Sequence, residues 1–198
     1  MRRLLGTVAA ALIGAVAFTS TVEAASRFWD PETKKWVSAR GGGKSGRSPI
    51  KRKVVKYNGK YKAGTIVVST EERRLYHILP NGKAMKYGIG VGRPGFTWAG
   101  THRVTRKAEW PGWTPPASMR ARERRKGRIL PAYMPGGPRN PLGARALYLG
   151  SSIYRIHGSN EPRTIGQAVS SGCIRMANED VKYLYEQVSV GARVVVLN

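Results

Sequence analysis

Cysteine, acidic residues and long apolar segments are all scarce in this chain. One of the 198 residues is a cysteine, so no disulfide can form within the chain. The apolar run from Leu4 to Phe18 is shorter than the ~20 residues that a helix needs to cross a bilayer. No internal repeat and no second folded domain can be recognised, and the length predicts one domain preceded by a leader.

The first residues have the features of a secretory signal peptide. Arg2 and Arg3 give a positive start, the apolar run follows, and Val22 and Ala24 form a small-x-small end. We expect cleavage after Ala24, export to the periplasm or cell wall, and no transmembrane segment after cleavage. Residues 25–59, rich in Gly, Ser and basic side chains, are predicted to be a flexible linker, and residues 60–198 the folded domain.

The charge is strongly one-sided. Lys and Arg number 35 and Asp and Glu 11, which gives a net charge of +24. Such a charge predicts polyanionic partners, of which nucleic acid is the first candidate. Outside the cytoplasm the available polyanions are cell-wall polymers and anionic lipid surfaces, so we expect no nucleic-acid partner. The charge predicts association and does not identify a reaction.

Alternating apolar residues and turn signals predict a mainly β domain from about residue 54 onward. Asn81-Gly82 between two apolar runs predicts a hairpin, because both residues accept positive φ. Further predicted strands are Thr65–Val68, Arg74–Leu79, Met85–Val91, Thr101–Thr105, Ala146–Leu149, Ile153–His157 and Ala192–Leu197. With one or two short helices, these strands predict a β-sandwich of mixed sheets, or a barrel-like domain.

One helix is predicted after residue 177. Its apolar residues recur at helical spacing, and they are Val181, Leu184, Tyr185 and Val188. Asn178 is the expected N-cap and Gly191 suits the C-terminal end.

The segment from Arg106 to Arg145 is predicted to be a long irregular loop. Its aromatic residues, Trp110, Trp113 and Tyr133, would either line a substrate groove or fasten the loop to the domain. Its basic run Arg120–Arg128 would be a short solvated helix or a contact with wall polymer.

The only thiol lies in a segment suited to nucleophilic catalysis. Cys173 follows Gly172 in a Gly- and Ser-rich loop, and the chain back to His157 is long enough to return. A cysteine nucleophile needs a base, and histidine is the usual partner because its pKa is near neutrality. A glycine beside the nucleophile lets backbone N–H groups approach an oxyanion. Arg175 adds the positive charge that favours a thiolate.

Other interpretations of these residues stay open. A single cysteine is often a small buried apolar residue. The possible metal ligands are His77, His102, His157 and Cys173, but their spacing matches no compact ligand pattern, so we expect no metal and no cofactor. The Gly90–Gly95 segment matches G-x-G-x-x-G, but no helix is predicted after it, which favours a strand end and turn over a dinucleotide site.

The segment from His157 to Met176 resembles the signature of the L,D-transpeptidase catalytic domain, the YkuD family. His157-Gly158 corresponds to the His-Gly pair of that family, and the residues from Ser170 to Arg175 correspond to its Ser-x-Gly-Cys-[Ile/Val]-Arg element. The likeness extends from roughly Lys60 to the C-terminus. Many members carry histidine where this chain has Ser171, so His157 is the only histidine of the motif here.

The resemblance implies a cysteine acyltransferase that acts on peptidoglycan. Cys173 would attack the carbonyl between the third residue of a stem tetrapeptide, usually diaminopimelate, and its terminal D-Ala. His157 would accept the thiol proton, and the Gly158 carbonyl would orient its ring. The backbone around Gly172, in the loop that also holds Ser171, would form the oxyanion hole.

The same resemblance implies that Arg175 holds this loop or binds the donor stem. An amine of a second stem peptide, or of a lipoprotein lysine, would resolve the acyl-enzyme and give a 3-3 cross-link or an attached lipoprotein. Water as the acceptor would give an L,D-carboxypeptidase. The remaining hypothesis is a non-enzymatic basic protein that binds cell wall or nucleic acid. It is disfavoured because binding alone does not require a thiol.

Overall fold

A computed structural model describes residues 27–30, 32–38 and 47–198. The predicted signal peptide lies outside the described residues. Within the described part, no helix has both the length and the apolar character needed to cross a membrane. The strands are β1 Arg27–Asp30, β2 Lys35–Ser38, β3 Lys53–Lys56, β4 Ile66–Ser69, β5 Arg74–Leu79, β6 Lys83–Gly88, β7 Val91–Gly92, β8 Gly100–Glu109, β9 Arg145–Leu149, β10 Arg155–His157, β11 Ala168–Ser170, β12 Ile174–Arg175 and β13 Arg193–Leu197. The helices are α1 Ala117–Arg124 and α2 Asn178–Gln187, and Pro162–Thr164 forms a short 3-10 turn.

Nine strands form one mixed sheet in the order β12-β10-β9-β8-β13-β4-β5-β6-β3. β13 lies between β8, to which it is antiparallel, and β4, to which it is parallel. The sheet curls, because Ile174 and Tyr87, from strands near its opposite ends, belong to the same buried core. Backbone hydrogen bonds of 2.8 and 2.9 Å between Gly90 and Arg175 tie these two ends together.

The predicted fold class, mainly β with mixed sheets and one or two short helices, is confirmed. The Asn81-Gly82 hairpin joins β5 to β6, and both residues have positive φ, of 58° and 61°. The Gly90–Gly95 segment is a strand end followed by a turn, in which Phe96 N–H donates to the Arg93 carbonyl at 2.9 Å.

Part of the segment predicted as a linker forms strands instead. β1 and β2 make a two-stranded antiparallel hairpin, and β3 pairs with β6 at the edge of the large sheet. The hairpin supplies Asp30, whose carboxylate lies 2.6 Å from the guanidinium of Arg74. Arg74 is 1% exposed, and a charge buried this deeply needs an anionic partner, which explains the difference from the prediction. Glu32 adds a second ion pair to Arg74 at 2.8 Å.

The predicted helix is present as α2, but both of its ends differ from the prediction. The N-cap position is Ala177 and Asn178 is the first helical residue, and the Asn178 side chain accepts hydrogen bonds from another part of the chain instead of capping the helix. The helix ends at Gln187, and Gly191 lies in the turn before β13 with φ of 93°. The ammonium of Lys107 occupies the C-terminal end, donating to the carbonyls of Tyr185 and Val188 at 2.6 and 2.7 Å.

The Arg106–Arg145 excursion is more regular than predicted. β8 continues to Glu109, because its pairing with β9 extends that far. The α1 helix overlaps the first part of the predicted basic helix, with no buried residue. A bridge between Trp113 and Met134 closes the base of the excursion.

Candidate active site

The pairing of β10 with β12 places the two halves of the sequence motif side by side. These strands are parallel, and His157 lies opposite Arg175 in the register. Met176 N–H donates to the His157 carbonyl at 2.8 Å and continues the ladder. The segment Gly158–Ser170 leaves this edge of the sheet and returns through β11, so Cys173 enters β12 next to the strand that carries His157.

His157 is buried, with 4% of its surface exposed. Its Nδ1 lies 2.6 Å from the Gly158 carbonyl oxygen, so Nδ1–H is the donor and Nε2 keeps a free lone pair. Burial and, second, the positive charge of Arg175 lower the pKa of His157 to about 3. The ring is therefore neutral near pH 7, in the form that accepts a proton.

Cys173 is half-buried, and its Sγ lies 3.9 Å from the carbonyl oxygen of Ile153. The hydroxyl of Ser170 shapes the backbone around it, donating to the Cys173 carbonyl at 2.6 Å and accepting from Gly172 N–H at 3.1 Å. The Gly172 N–H, one of the predicted oxyanion donors, is therefore already paired. The Cys173 N–H makes no hydrogen bond to another described residue and is available to an oxyanion.

Arg175 is close to both Cys173 and His157. Its charge lowers the pKa of His157, and a thiolate on Cys173 would raise the pKa of Arg175 in return. Burial is the main influence on the guanidinium itself and lowers its pKa. Glu161 lies 3.5 Å away and is its only ion-pair partner among the described residues. This geometry suits a residue that holds the loop and contributes positive charge beside the thiol.

Ser171 lies beside the cysteine loop, and its hydroxyl faces two arginines. Arg93 Nη1 is 3.2 Å from Ser171 Oγ, and Arg122 Nη2 is 3.4 Å from the same atom. Ser171, which the resemblance marks as a departure from the histidine of the motif, meets guanidinium groups here. The sequence placed Arg122 only in a basic run and Arg93 only in a turn, because the segment after β7 and helix α1 bring them to the site from distant parts of the chain.

Two aromatic residues, Trp98 and Tyr154, pack against the loop that contains Gly172 and Cys173. Trp98 Nε1–H donates to the Gly172 carbonyl at 2.7 Å, and the Trp98 ring stacks on Tyr154 with centroids 4.4 Å apart. Gly172 has φ of 107°, and a Cβ there would lie 2.6 Å from the Tyr154 ring. A side chain at this position would be strained by both conformation and contact. The sequence predicted the need for glycine here but missed both aromatic residues.

The turn that carries the Gly158 carbonyl is held by Asn178, which the sequence had predicted only as an N-cap. Its Oδ1 accepts from the N–H groups of Ala144 and Ser159 at 2.9 and 3.2 Å. A Cβ on Gly158 or on Gly143 would lie 2.3 Å from that oxygen. The backbones of Gly143 and Gly158 therefore pack directly against the Asn178 side chain, and only glycine fits at these two positions.

The remaining sequence candidates are not brought together at this site. His77 is buried on β5, where burial lowers its pKa, and His102 packs edge-on against Trp98 with centroids 5.2 Å apart. Among the described residues no group of three or more His, Cys, Asp and Glu side chains is placed to bind a metal ion. Of the aromatic residues in the excursion, Trp110 and Tyr133 are exposed, at 39% and 59%.

These features together are suited to nucleophilic acyl transfer. An accessible thiol, a neutral and oriented imidazole, and an unpaired backbone N–H are the three components that such chemistry requires. The catalytic roles of Cys173 and His157 stay predictions.

Comparison with known proteins gives a consistent family. Residues 63–196 match the family model of the L,D-transpeptidase catalytic domain, YkuD. Two relatives from Escherichia coli (strain K12) are "Probable L,D-transpeptidase ErfK/SrfK", 43% identical over 138 residues, and "Probable L,D-transpeptidase YbiS", 46% identical over 135 residues. These matches cover 67% and 65% of this chain but 44% and 43% of the relatives, so the chain spans less than half of their length.

Solved structures give the same fold. An L,D-transpeptidase of Enterococcus faecium has a TM-score of 0.51 at 20% identity, covering 69% of this chain and 50% of that one. An L,D-transpeptidase from Mycobacterium smegmatis has a TM-score of 0.50 at 19% identity, covering 68% and 58%. At such identities the likeness shows the fold alone.

Proposed function

Because the chain belongs to the L,D-transpeptidase catalytic domain family, we propose that it is an exported peptidoglycan L,D-transpeptidase that works through an acyl-enzyme on Cys173. The donor is a stem tetrapeptide, and the acceptor is an amine of a second stem peptide or of a lipoprotein lysine. The observation that carries the proposal is the buried, neutral His157 on the strand beside Cys173, with its ring oriented by the Gly158 carbonyl.

The reaction has two acyl transfers. In the first, His157 Nε2 accepts the thiol proton while Cys173 Sγ bonds to the donor carbonyl carbon, and the oxyanion is held by the Cys173 N–H. The bond from that carbon to the D-Ala nitrogen then breaks, and His157 returns the proton to the leaving amine. In the second, the acceptor amine attacks the thioester carbon and loses a proton to His157, the bond from that carbon to Sγ breaks, and His157 passes the proton to the departing Cys173 thiolate.

The test is mass spectrometry of the mature protein incubated with a disaccharide-tetrapeptide. We expect a transient adduct on Cys173, loss of D-Ala, and a cross-linked dimer. Cys173→Ala should form no adduct. His157→Ala should lower the acylation rate by about 100-fold or more, because it removes the general base.

Other outcomes distinguish the alternatives. Tripeptide release without dimer would favour an L,D-carboxypeptidase, since the same acyl-enzyme is then resolved by water. No adduct with any wall fragment would overturn the enzymatic proposal and favour the basic binding protein. Full acylation of His157→Ala would contradict only the assignment of the base.

A further inference from the structure

We propose that Arg93 and Arg122 together bind a carboxylate of the donor stem peptide beside Cys173. This inference rests on the proposed function and adds two substrate-binding residues that the sequence motif does not contain. Both guanidinium groups converge on Ser171 Oγ, at 3.2 and 3.4 Å, and Ser171 lies two residues before the nucleophile.

The charges at this position are poorly compensated. Arg93 forms no ion pair with any described carboxylate, and its guanidinium donates only to the Ser170 carbonyl and the Ser171 hydroxyl. Arg122 lies 3.6 Å from Glu123, but Glu123 also binds Arg128, whose Nε lies 2.7 Å from it. A neutral hydroxyl between two half-buried cations leaves positive charge to be neutralised, and a carboxylate accepts from two such donors at once.

The pair is held in place before any ligand arrives. Arg93 N–H donates to the Ser170 carbonyl at 3.1 Å, where Gly92 of β7 pairs with Ser170 of β11. The Arg93 guanidinium stacks on the Phe96 ring, 4.0 Å from its centroid, and Arg122 approaches the same ring at 5.8 Å. Stacking covers the faces of a guanidinium and leaves its edge, which carries the N–H donors, free to bind a ligand.

The stem tetrapeptide offers a carboxylate in the right chemical neighbourhood. The terminal D-Ala carboxylate is one residue from the amide that Cys173 attacks, and the side chain of diaminopimelate carries another on the acyl side. Both are planar anions that fit a bidentate guanidinium contact. Since Arg122 is on α1, binding of this carboxylate would also fix the excursion against the cysteine loop.

Binding is best measured in a Cys173→Ala background, which removes turnover. We would titrate the disaccharide-tetrapeptide by calorimetry into this protein and into the same protein carrying Arg93→Gln or Arg122→Gln. Each substitution should raise Kd roughly ten- to hundredfold, the usual effect of losing a hydrogen bond to a charged group. Arg124→Gln is the matched control, because it removes an equal charge from α1 at an exposed side chain that makes no hydrogen bond or ion pair to the described residues.

Two amidated donors identify which carboxylate is bound. If the pair binds the D-Ala terminus, the Gln variants should not differ from the parent protein toward a tetrapeptide with a terminal carboxamide. If the pair binds the diaminopimelate side chain, the Gln variants and the parent protein should have the same Kd for a donor amidated on that side chain. An unchanged Kd in both Gln variants overturns the inference, as does an equal loss with the acidic donor and both amidated donors.

Folding and turnover are controlled separately. Arg93→Lys keeps the charge and should lose less affinity than Arg93→Gln if a carboxylate is the ligand, whereas a merely structural role predicts a lower unfolding midpoint with no dependence on the donor. Carboxylate-dependent binding by a wild-type protein that forms no acyl-enzyme would overturn the proposed function and leave this inference standing.

Discussion

Replacing Asn178 with alanine should both destabilise the protein and slow acylation, because one amide oxygen holds the turn beside the proposed base. That oxygen accepts from the N–H groups of Ala144 and Ser159, at 2.9 and 3.2 Å. Ser159 follows Gly158, whose carbonyl receives the Nδ1–H of His157 at 2.6 Å. The Asn178 side chain therefore binds the residue that directly follows Gly158, whose carbonyl orients the imidazole.

The stability effect can be worked out from the two donors. A buried N–H left without an acceptor costs about 1–3 kcal/mol. Asn178 is half-buried, so water can enter part of the space that alanine leaves and satisfy some of this demand. We expect the free energy of unfolding to fall by about 2–4 kcal/mol, measured as a lower urea midpoint with an unchanged m-value.

The effect on catalysis follows from the position of the His157 ring. If the Gly158 turn relaxes, the carbonyl that fixes Nδ1 moves and the imidazole loses its fixed orientation. A displacement on the order of 1 Å in a reacting group can cost about 100-fold in rate. We expect this loss in the rate of adduct formation on Cys173 at saturating donor, with little change in donor Kd measured in a Cys173→Ala background.

The matched control is Asn178→Asp, which keeps an acceptor oxygen at the same place. It should retain most of the stability and rate that Asn178→Ala loses. Two results would refute the reasoning. One is Asn178→Ala with a wild-type urea midpoint and acylation rate. The other is an Asp variant as impaired as the Ala variant, which would show that the acceptor oxygen is not the important feature.

Three further predictions concern buried ionisable groups. Since burial and then Arg175 lower the pKa of His157 to about 3, the acylation rate should show no loss attributable to this ring between about pH 7 and pH 5, and an acid limb centred near 6.5 would contradict its assignment. As the pH falls, the unfolded chain binds a proton on His157 before the folded protein does, because the folded-state pKa is the lower one. The contribution of neutral His157 to stability should therefore be complete above about pH 6.5 and lost as the pH falls toward about 3. The urea midpoints of wild type and His157→Gln should converge or cross over that range. Arg74→Met leaves Asp30 buried without its cation, and we expect a loss of about 3–5 kcal/mol in unfolding free energy. The double variant with Asp30→Asn should recover part of it, and an unchanged midpoint in Arg74→Met would show that the ion pair contributes nothing to stability.

The regular strands and the nucleophile loop could be predicted from the sequence because their signals are local. The positive φ at Asn81 and Gly82 follows from residue type, and apolar alternation revealed β5 and β6. The Gly172-Cys173 pair was recognised because a tight turn at a nucleophile needs glycine. Each of these features depends on a few neighbouring residues.

The missed features depend on long-range contacts. Arg74 gave no sign that its partner lies 44 residues earlier in a segment whose composition indicates a linker. Asn178 is a residue type that favours N-cap positions, yet its side-chain oxygen accepts a hydrogen bond from the N–H of Ala144, 34 residues upstream. Trp98 contacts Gly172 across 74 residues. Such contacts join segments that are distant in the sequence, so local composition contains no information about them.

The central place of β13 has a consequence for how this protein is made. β13, Arg193–Leu197, is synthesised after the other eight strands of the large sheet, yet it lies between β8 and β4 and joins the two halves. The emerging chain can therefore form only separate pieces of sheet until its last strand is free. A protein truncated before Arg193 would have two unpaired strand edges in its middle, which invite aggregation.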